Sequence, residues 1–558
     1  MVEAELIAPS YEKRFMTEPD IIYTRAVLPL AADADGTRAD AVAVSAGRVG
    51  VVGAASDLLG LAGASTRVVP LGGRTLLPGF HDAHCHVLGF GLTLAAVALT
   101  SCRTIGALVG LLQARADESG AGRETWVRGR GYSQNVLAEG RHPTRQDLDR
   151  VGGGLPFVLI IHASGHAVSV NSRVLARCGI ARDTPDPAGG TIVRDGRGEP
   201  TGVLLETAVN LAYDAAPEPS RAEKVAALGR ATRALNAMGV TSAVDATLGV
   251  AARDSLAEIA VYQEAAQSGA HSVRCTLMMM LTQLAALDAV PAPDALTVET
   301  DRVRIGPSKV FTDGALTTRT ALLRSPFVNS DSLGTAVWRA DELDAMVLRA
   351  HAAGWQVAAH AIGDGAIDLC LDAFGRAQVR HPRADARHRV EHAMLLWPDQ
   401  LERMARQGVL PIYQPEFILR FGDAYKAALG PSRAARLMPY AETLASGLPL
   451  VFSSDLPVVP GAPLDGIAAA CLRRAPSGET LGDSHWVSAP DALRAYTEGA
   501  ARSVFLEDDR GRIAPGHRAD FVVLDGDPLA LPPDEWADGL AVRATILGGE
   551  VVFGGVES

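Results

Sequence analysis

Apolar residues in the middle of the chain recur in short runs, and several of these runs are followed by segments with helical periodicity. In the segment 341–354, Leu343, Met346, Val347 and Ala350 fall at positions i, i+3, i+4 and i+7, which predicts a helix. Short strands that alternate with helices are typical of an α/β protein with a (β/α)8 TIM-type barrel. The eight predicted strands lie near residues 76–86, 240–246, 273–281, 303–310, 356–361, 388–393, 408–414 and 449–455.

The two ends of the chain have a different pattern, in which β-type runs are separated by turns. Such runs occupy residues 21–71 near the amino terminus and residues 519–524 and 542–553 near the carboxyl terminus. Because chain termini often lie close together, we expect one small β-sandwich domain built from residues 1–75 and 508–558. The alternative is two unrelated β segments.

The gap between the first and second predicted barrel strands is longer than an ordinary crossover. Its residues, about 105–225, contain strand-like and turn-like segments of their own, such as the apolar run 157–161. We therefore interpret this gap as an inserted subdomain within a barrel domain that extends over residues 76–507.

Composition and charge narrow the class of protein. The 558 residues are 48% apolar and 21% charged, with a net charge of -12 and no basic block, so we expect no nucleic-acid partner. The six cysteines form no C-x-x-C pair, which favours a reducing compartment. No signal peptide is apparent, and the apolar segment 88–99 is shorter than the about 20 residues that span a bilayer. We expect a cytoplasmic protein without membrane contact, and a homodimer is a reasonable default.

The first predicted strand ends in the sequence His84-Cys85-His86. Residues i and i+2 of an extended strand point to the same face, so both imidazoles can reach one metal ion while Cys85 points away. A His-x-His pair alone is weak support for a metal site, since a strand end can carry histidines for structural reasons.

Four other predicted strand ends carry polar residues, and active sites of such barrels lie at the carboxyl ends of the strands. Imidazole and carboxylate groups bind zinc and similar divalent ions. Each residue alone is more often structural, but six at one rim indicate a metal site. The four additional residues are Lys309, His360, His392 and Asp455.

These segments resemble the amidohydrolase superfamily, and specifically its amidohydrolase-3 (YtcJ-like) group of metal-dependent hydrolases, from about Ile21 to Gly555. The chain departs from the family pattern at His81, where an aliphatic residue is usual. The matching segments are Pro78-Gly-Phe-His-Asp-Ala-His-Cys-His, Lys309-Val-Phe-Thr-Asp-Gly-Ala-Leu, His360-Ala-Ile-Gly-Asp, Arg389-Val-Glu-His-Ala, Ser453-Ser-Asp-Leu-Pro-Val and Gly516-His-Arg-Ala-Asp-Phe-Val-Val-Leu, with Gly129-Arg-Gly-Tyr and Gly165-His-Ala-Val-Ser-Val-Asn-Ser in the insertion.

The resemblance implies a ligand set for one or two divalent ions, zinc among the candidates. His84, His86 and Asp455 would hold one ion, and His360 and His392 would hold a second. A protonated lysine cannot bind a cation, so the resemblance suggests a carbamate on Lys309 that bridges the two ions. The alternative is a free amine at Lys309 beside a single ion.

The implied activity is hydrolysis of a non-peptide C–N bond in a small molecule, such as an N-substituted formamide or a cyclic amide. A bound ion would activate hydroxide, and Asp455 would act as general base and then as general acid. One alternative uses the same site for C–O hydrolysis or a lyase or isomerase reaction. Another is a catalytically silent regulatory protein on this fold.

Several further residues are weaker candidates for the site. His166 could act in catalysis, by contacting the substrate or the developing oxyanion, or could be structural. Tyr132, Asp313 and Gln414 are candidates for the substrate-binding wall. Asp364 and Glu391 could orient the metal-binding imidazoles, or could be capping or surface carboxylates.

Overall fold

The computed structural model of the chain describes residues 18–27, 30, 39–187, 189–248, 255–296, 298 and 300–556. The strands in chain order are β1 (Ile21–Thr24), β2 (Ala41–Ser45), β3 (Arg48–Gly53), β4 (Arg67–Pro70), β5 (Thr75–Pro78), β6 (Phe80–Cys85), β7 (Val97–Ala98), β8 (Trp126–Tyr132), β9 (Phe157–His162), β10 (Ala167–Val170), β11 (Gly190–Arg194), β12 (Pro200–Glu206), β13 (Val240–Asp245), β14 (Arg274–Met280), β15 (Val303–Phe311), β16 (Val357–Ala361), β17 (Arg389–His392), β18 (Leu410–Ile412), β19 (Phe521–Leu524), β20 (Val542–Leu547) and β21 (Glu550–Gly554).

Helices separate most of these strands. The α-helices are Ala55–Leu59, Val87–Thr93, Ile105–Glu118, Arg145–Leu148, Ser172–Arg177, Val209–Ala215, Arg221–Ala237, Ser255–Gln267, Leu281–Ala285, Ala340–Ala352, Asp364–Arg380, Pro398–Gln407, Glu416–Leu429, Pro431–Ala434, Tyr440–Ala445, Pro463–Leu472, Ala489–Arg494, Ala500–Arg502 and Trp536–Gly539. Short 3-10 turns occupy Val151–Gly154, Pro293–Ala295, Asp483–His485 and Pro533–Glu535, and Ala495–Gly499 forms a π-helical turn.

The barrel predicted from the eight apolar runs is confirmed. Strands β6, β13, β14, β15, β16, β17 and β18 are neighbours in that order, and every pair is parallel. The eighth run is irregular, but Phe452 pairs in parallel with Tyr413 beside β18. On the other side, Asp455 N donates to His84 O (2.8 Å) and His86 N donates to Leu456 O (2.8 Å). The eighth segment therefore bonds to both edges of the seven-stranded sheet.

The first predicted run, 76–86, forms two strands instead of one. Strand β5 pairs antiparallel with β19 in a terminal sheet, and β6 begins the barrel. Gly79 separates them, and a Cβ atom at this position would collide with the side chain of Thr241. The chain can change sheets here because glycine leaves room for that close approach.

Both termini contribute to one β-sandwich, as predicted. The first sheet has the strand order β3-β2-β1-β4, with β4 parallel to β1, and the second has the order β21-β20-β19-β5. Side chains from the two sheets share one buried core, in which the ring centroids of Tyr23 and Phe521 are 6.0 Å apart. The Tyr23 hydroxyl also donates to Gly549 O across this core (2.9 Å).

The predicted insertion lies within a second compact unit, Gly89–Ala227, whereas the barrel and the terminal sheets share the first. Its six-stranded sheet has the order β11-β12-β10-β9-β8-β7. Strand β9 alternates between two cores, with Val158 and Ile160 in one and Phe157 and Leu159 in the other. Both faces of this sheet are therefore covered. The predicted domain boundaries stay predictions.

The helix predicted over 341–354 is confirmed as Ala340–Ala352. Leu343, Val347 and Ala350 are buried, as the periodicity indicates. Gly354 follows with φ of +94°, a conformation that suits glycine after a helix end.

All six cysteines carry free thiols, and four of them are buried. Within the described ranges, no helix combines the length and the apolar character that crossing a bilayer requires.

A buried ion pair joins the barrel to the terminal sandwich. Arg274 on β14 is 5% exposed and binds Asp520, beside β19, through two hydrogen bonds of 2.8 and 3.2 Å. Arg274 also contacts Asp301 (3.1 Å), whose side chain is 60% exposed. Removing the buried partner would leave the buried Arg274 charge with only the solvent-exposed carboxylate of Asp301.

We expect Asp520→Ala to lower the free energy of unfolding by about 3–5 kcal/mol, because Arg274 loses its buried partner. The matched control, Asp301→Ala, should cost less than about 1 kcal/mol because that carboxylate is exposed. Chemical denaturation monitored by circular dichroism measures both, and equal effects of the two substitutions would contradict this assignment.

Candidate metal centre

The barrel brings the six predicted ligand positions to the carboxyl ends of its strands. His84 lies near the end of β6, and His86 follows that strand directly. Lys309, His360 and Asp455 lie near the ends of β15, β16 and the eighth segment, and His392 ends β17. The alternation of strand residues turns these side chains toward one rim.

His84, His86 and Asp455 have ligand atoms that all lie within 4.8 Å of one another. Asp455 Oδ1 is 3.0 Å from His86 Nε2 and 3.4 Å from His84 Nε2. Two ligands of a tetrahedral zinc ion, each at 2.0–2.1 Å from the metal, would be about 3.3 Å apart. The two distances to Asp455 are therefore close to those that a divalent ion requires of its ligands, and the residue types suit such an ion.

His392 and His360 continue the row of imidazoles from His84. The ring centroids of His84 and His392 are 5.0 Å apart, and those of His392 and His360 are 4.6 Å apart. Lys309 Nζ lies 3.5 Å from His84 Nε2 and is fully buried. Among the described histidine, cysteine, aspartate and glutamate residues, His84, His86 and Asp455 are the group of three whose ligand atoms all lie within 4.8 Å of one another.

His84 is anchored by a buried carboxylate. Glu391 Oε2 lies 2.5 Å from His84 Nδ1, and both oxygens of Glu391 accept hydrogen bonds from Arg389 (2.7 and 3.0 Å). Arg389 also donates to Ala83 O (2.7 Å), the carbonyl that precedes His84. With its Nδ1 proton directed to Glu391, His84 has Nε2 free to bind an ion.

The other imidazoles are held in the same way, through one ring nitrogen each. His392 Nδ1 bonds to Gln414 Oε1 (2.7 Å), and Gln414 Nε2 donates to Ser453 Oγ (2.9 Å). His360 Nε2 donates to Gly314 O (3.1 Å), so its Nδ1 is the ring nitrogen left for a ligand. Each contact orients a ring and selects its tautomer.

His86 has a partner that sequence reasoning missed. Its Nδ1 bonds to Thr247 Oγ1 (2.8 Å), and Asp245 accepts from Thr247 N and Leu88 N (3.4 and 3.1 Å). The Tyr262 hydroxyl also donates to Asp245. The available signal was position, since Asp245 and Thr247 lie at the end of the second predicted strand, for which no ligand was proposed.

Electrostatics favour the protonation states that bind cations. Burial, followed by the charge of Lys309, lowers the pKa of His360 to about 3. Burial also lowers the pKa of His392. Although burial alone would raise the pKa of Asp455, hydrogen bonds from His84 and His86 hold it well below its usual value. Neutral His360 and His392 and an ionised Asp455 are thus favoured at neutral pH. At His86, burial lowers the pKa, but the hydrogen bond with Asp455 outweighs it and raises the pKa above its usual value.

Two of the candidate ligands have unusual backbone conformations. His392 has φ of +73° and Asp455 has φ of +60°, in the left-handed region that residues other than glycine rarely adopt. Such positions cluster at functional sites, where the surrounding structure maintains them.

Asp313 is another residue of the barrel that the sequence analysis named. Asp313 was a candidate for the substrate wall, but its carboxylate accepts from three backbone amides, of Leu322, Ile362 and Gly363 (3.0, 3.1 and 2.9 Å). It lies 3.5 Å from His360 Nε2, and burial raises its pKa to about 7. Its hydrogen bonds thus hold the loop beside His360.

Asp364 was a candidate either for orienting an imidazole or for a capping or surface role, and its carboxylate oxygens accept from Arg324 N (2.8 Å) and Trp397 Nε1 (2.9 Å). It begins a helix and ties that helix to neighbouring loops. His81, near the amino end of β6, is buried, and neither ring nitrogen has a hydrogen-bond partner in the described part of the chain.

Tyr132 and His166 belong to the second compact unit and are described within it. Tyr132 is buried, and its hydroxyl bonds to His142 Nδ1 (3.0 Å) and Ser169 Oγ (2.9 Å). His166 is half exposed and pairs with Glu206 (2.9 Å). The substrate-binding role of Tyr132 and the catalytic role of His166 stay predictions.

Histidine and aspartate side chains on the carboxyl rim of a parallel barrel define the site of a metal-dependent hydrolase. A model of the amidohydrolase family matches residues 67–553, and the chain belongs to this family.

Individual relatives cover almost the whole chain. YtcJ, a predicted amidohydrolase of Bacillus subtilis (strain 168), is 33% identical over 531 residues, which cover 93% of this chain and 97% of that protein. An N-substituted formamide deformylase of Arthrobacter pascens is 29% identical, with coverage of 92% and 95%. A crystal structure of an uncharacterized metal-dependent hydrolase from Pyrococcus horikoshii OT3 aligns with a TM-score of 0.75 at 26% identity, covering 92% of this chain and 99% of that one.

We expect Glu391→Gln to weaken divalent-metal affinity about 10- to 100-fold, because His84 loses the carboxylate that orients it. Competitive titration with a chromophoric chelator measures this change. Thr247→Ala should also weaken metal affinity, because His86 loses the hydroxyl that orients it. This substitution leaves the pair of Arg389 and Glu391 intact. Glu507→Gln is the matched control, since that carboxylate pairs with Arg387 (2.7 Å). Equal affinities in all three variants would refute the orienting roles.

Proposed function

We propose that this protein hydrolyses a non-peptide C–N bond of a small-molecule amide with a divalent ion held by His84, His86 and Asp455. The observation that carries the proposal is the Asp455 carboxylate, which lies 3.0 and 3.4 Å from the two imidazole nitrogens at the barrel rim. The similarity to an N-substituted formamide deformylase supports an amide substrate. We propose zinc as the ion, because imidazole and carboxylate ligands suit it.

A divalent ion at this site would lower the pKa of water and polarise the substrate carbonyl. Asp455 would accept a proton from the attacking water while the water oxygen bonds to the carbonyl carbon. Asp455 would then donate that proton to the leaving nitrogen as the C–N bond breaks. One carboxylate can serve both steps because it gains and then loses the same proton.

We further propose that Lys309 carries a carbamate that joins a second ion, held by His360 and His392, to the first. Burial lowers the pKa of Lys309 to about 8, although the charges of Glu391 and Asp455 oppose that shift. A larger fraction of free amine is then available to react with carbon dioxide. Its position 3.5 Å from His84 Nε2 supports this bridging role.

Metal content tests the number of ions. We expect about two equivalents per chain in the parent protein, falling to one or none in Lys309→Ala, with the carbamate detected by intact mass. Lys426→Ala is the control, because that lysine pairs with Glu479 (2.6 Å) on the surface. One tightly held equivalent that is unchanged in Lys309→Ala would exclude the bridge.

Turnover tests the reaction. We expect the metal-loaded protein to hydrolyse members of a panel of N-substituted formamides and cyclic amides, and Asp455→Asn to lower kcat about 10²- to 10⁴-fold. Asp301→Asn, at an exposed carboxylate, should retain activity. Hydrolysis of esters or lactones without any amide would instead favour C–O chemistry. A protein that binds no metal after reconstitution would contradict the proposal.

A further inference from the structure

Three aromatic side chains form a stripe along the helix Glu416–Leu429, which follows β18. Phe417, Phe421 and Tyr425 are spaced by four residues and therefore share one helix face. The ring centroids of Phe417 and Phe421 are 5.7 Å apart, and those of Phe421 and Tyr425 are 6.1 Å apart. The three rings form a continuous surface.

This stripe adjoins the candidate metal centre. The ring of Phe417 lies nearly parallel to that of His392, at an interplanar angle of 11° and a centroid distance of 6.1 Å. At the other end, Tyr425 is linked to Phe417 through its ring contact with Phe421. Phe417 and Tyr425 are buried, and Phe421 is partly exposed.

The Tyr425 hydroxyl has no hydrogen-bond partner among the described residues. Tyr425 is 3% exposed, and its hydroxyl makes no hydrogen bond to any residue that the structure describes. Although the residue as a whole is buried, its hydroxyl oxygen is not among the fully buried polar atoms without a partner, so a ligand can reach it. A tyrosine hydroxyl is protonated at neutral pH, so this group can donate a hydrogen bond.

The charged residues of the same helix are already occupied. Arg420 pairs with Glu416 (2.8 Å), Lys426 pairs with Glu479 (2.6 Å), and Asp423 accepts from Ser477 Oγ (2.6 Å). The stripe thus offers a ligand the partly exposed ring of Phe421 and the Tyr425 hydroxyl, while the charged side chains of the helix are already paired. This combination suits a neutral ligand with a planar apolar group and an acceptor oxygen.

We infer that Phe417, Phe421 and Tyr425 form a wall of the substrate site, and that this wall selects amides with an aromatic substituent. The substituent would lie against Phe421, and the Tyr425 hydroxyl would donate to a substrate oxygen. The inference rests on the proposed function for the reacting bond, but the wall can be tested without turnover.

Ketones that copy the amide shape but contain no C–N bond provide that test. Calorimetry on the protein as isolated compares 4-phenylbutan-2-one, butan-2-one and ethylbenzene. We expect the phenyl ketone to bind at least about tenfold more tightly than butan-2-one, because its ring stacks on the wall. Phe421→Ala should remove most of that advantage. The matched control, Phe553→Ala in the terminal sandwich, should not.

Tyr425→Phe isolates the hydroxyl. We expect this substitution to weaken the binding of both ketones about three- to tenfold. The binding of ethylbenzene should not change, because ethylbenzene has no acceptor oxygen. If Tyr425 had a purely structural role, Tyr425→Phe would change the binding affinity of all three ligands alike.

Equal binding of the two ketones by the parent protein would overturn the inference, and this comparison needs no variant. Equal effects of Phe421→Ala and Phe553→Ala would also overturn it. If the ketones behave as expected but no amide is hydrolysed, the aromatic wall is supported and the amide chemistry fails. If amides are hydrolysed but the ketones show no preference, the wall fails alone.

Discussion

The structure depends on the hydrogen bonds that join the eighth barrel segment to the first strand. Asp455 N donates to His84 O, and His86 N donates to Leu456 O, both at 2.8 Å. Asp82 adds a further link by accepting from Ser454 N (3.0 Å). These bonds connect the eighth segment with β6, and they also bring the Asp455 carboxylate beside two imidazoles. The connection that completes the barrel therefore assembles the candidate metal centre as well, because active-site groups of parallel barrels lie where the strands end.

A cluster of four histidines, a lysine and two carboxylates in a buried site is stable only if the charges compensate one another. Arg389 neutralises Glu391, which in turn orients His84. Burial keeps His360 and His392 neutral, and hydrogen bonds from histidines keep Asp455 ionised. The same interactions that make burial tolerable leave one nitrogen of each imidazole available for a ligand. Fold stability and metal binding thus rest on one network.

The barrel was predictable because its strands must be buried, and burial leaves apolar runs of a recognisable length. The positions of His84, His86, His360, His392, Lys309 and Asp455 were predictable because each follows such a run. The hydrogen-bond partners of these residues were harder to predict. Thr247 contacts His86 from a strand that is far away in the chain, and Gln414 contacts His392 from the end of the next strand. Asp364 stands close to His360 in sequence but bonds to Arg324 and Trp397 instead. Closeness in the sequence does not determine which residue a side chain contacts.

The sequence by itself determined the barrel architecture, the two-ended origin of the sandwich, the family resemblance and the residue types at the strand ends. These features depend on local patterns of apolar and polar residues, which can be read without knowing what packs against what. Only the tertiary structure decided that Gly79 divides the first run between two sheets, which ring nitrogen each histidine keeps free, and that the face of Phe417, Phe421 and Tyr425 adjoins the metal centre. Those outcomes depend on contacts between segments that are distant in the chain, so the physical reason lies in packing rather than in local periodicity.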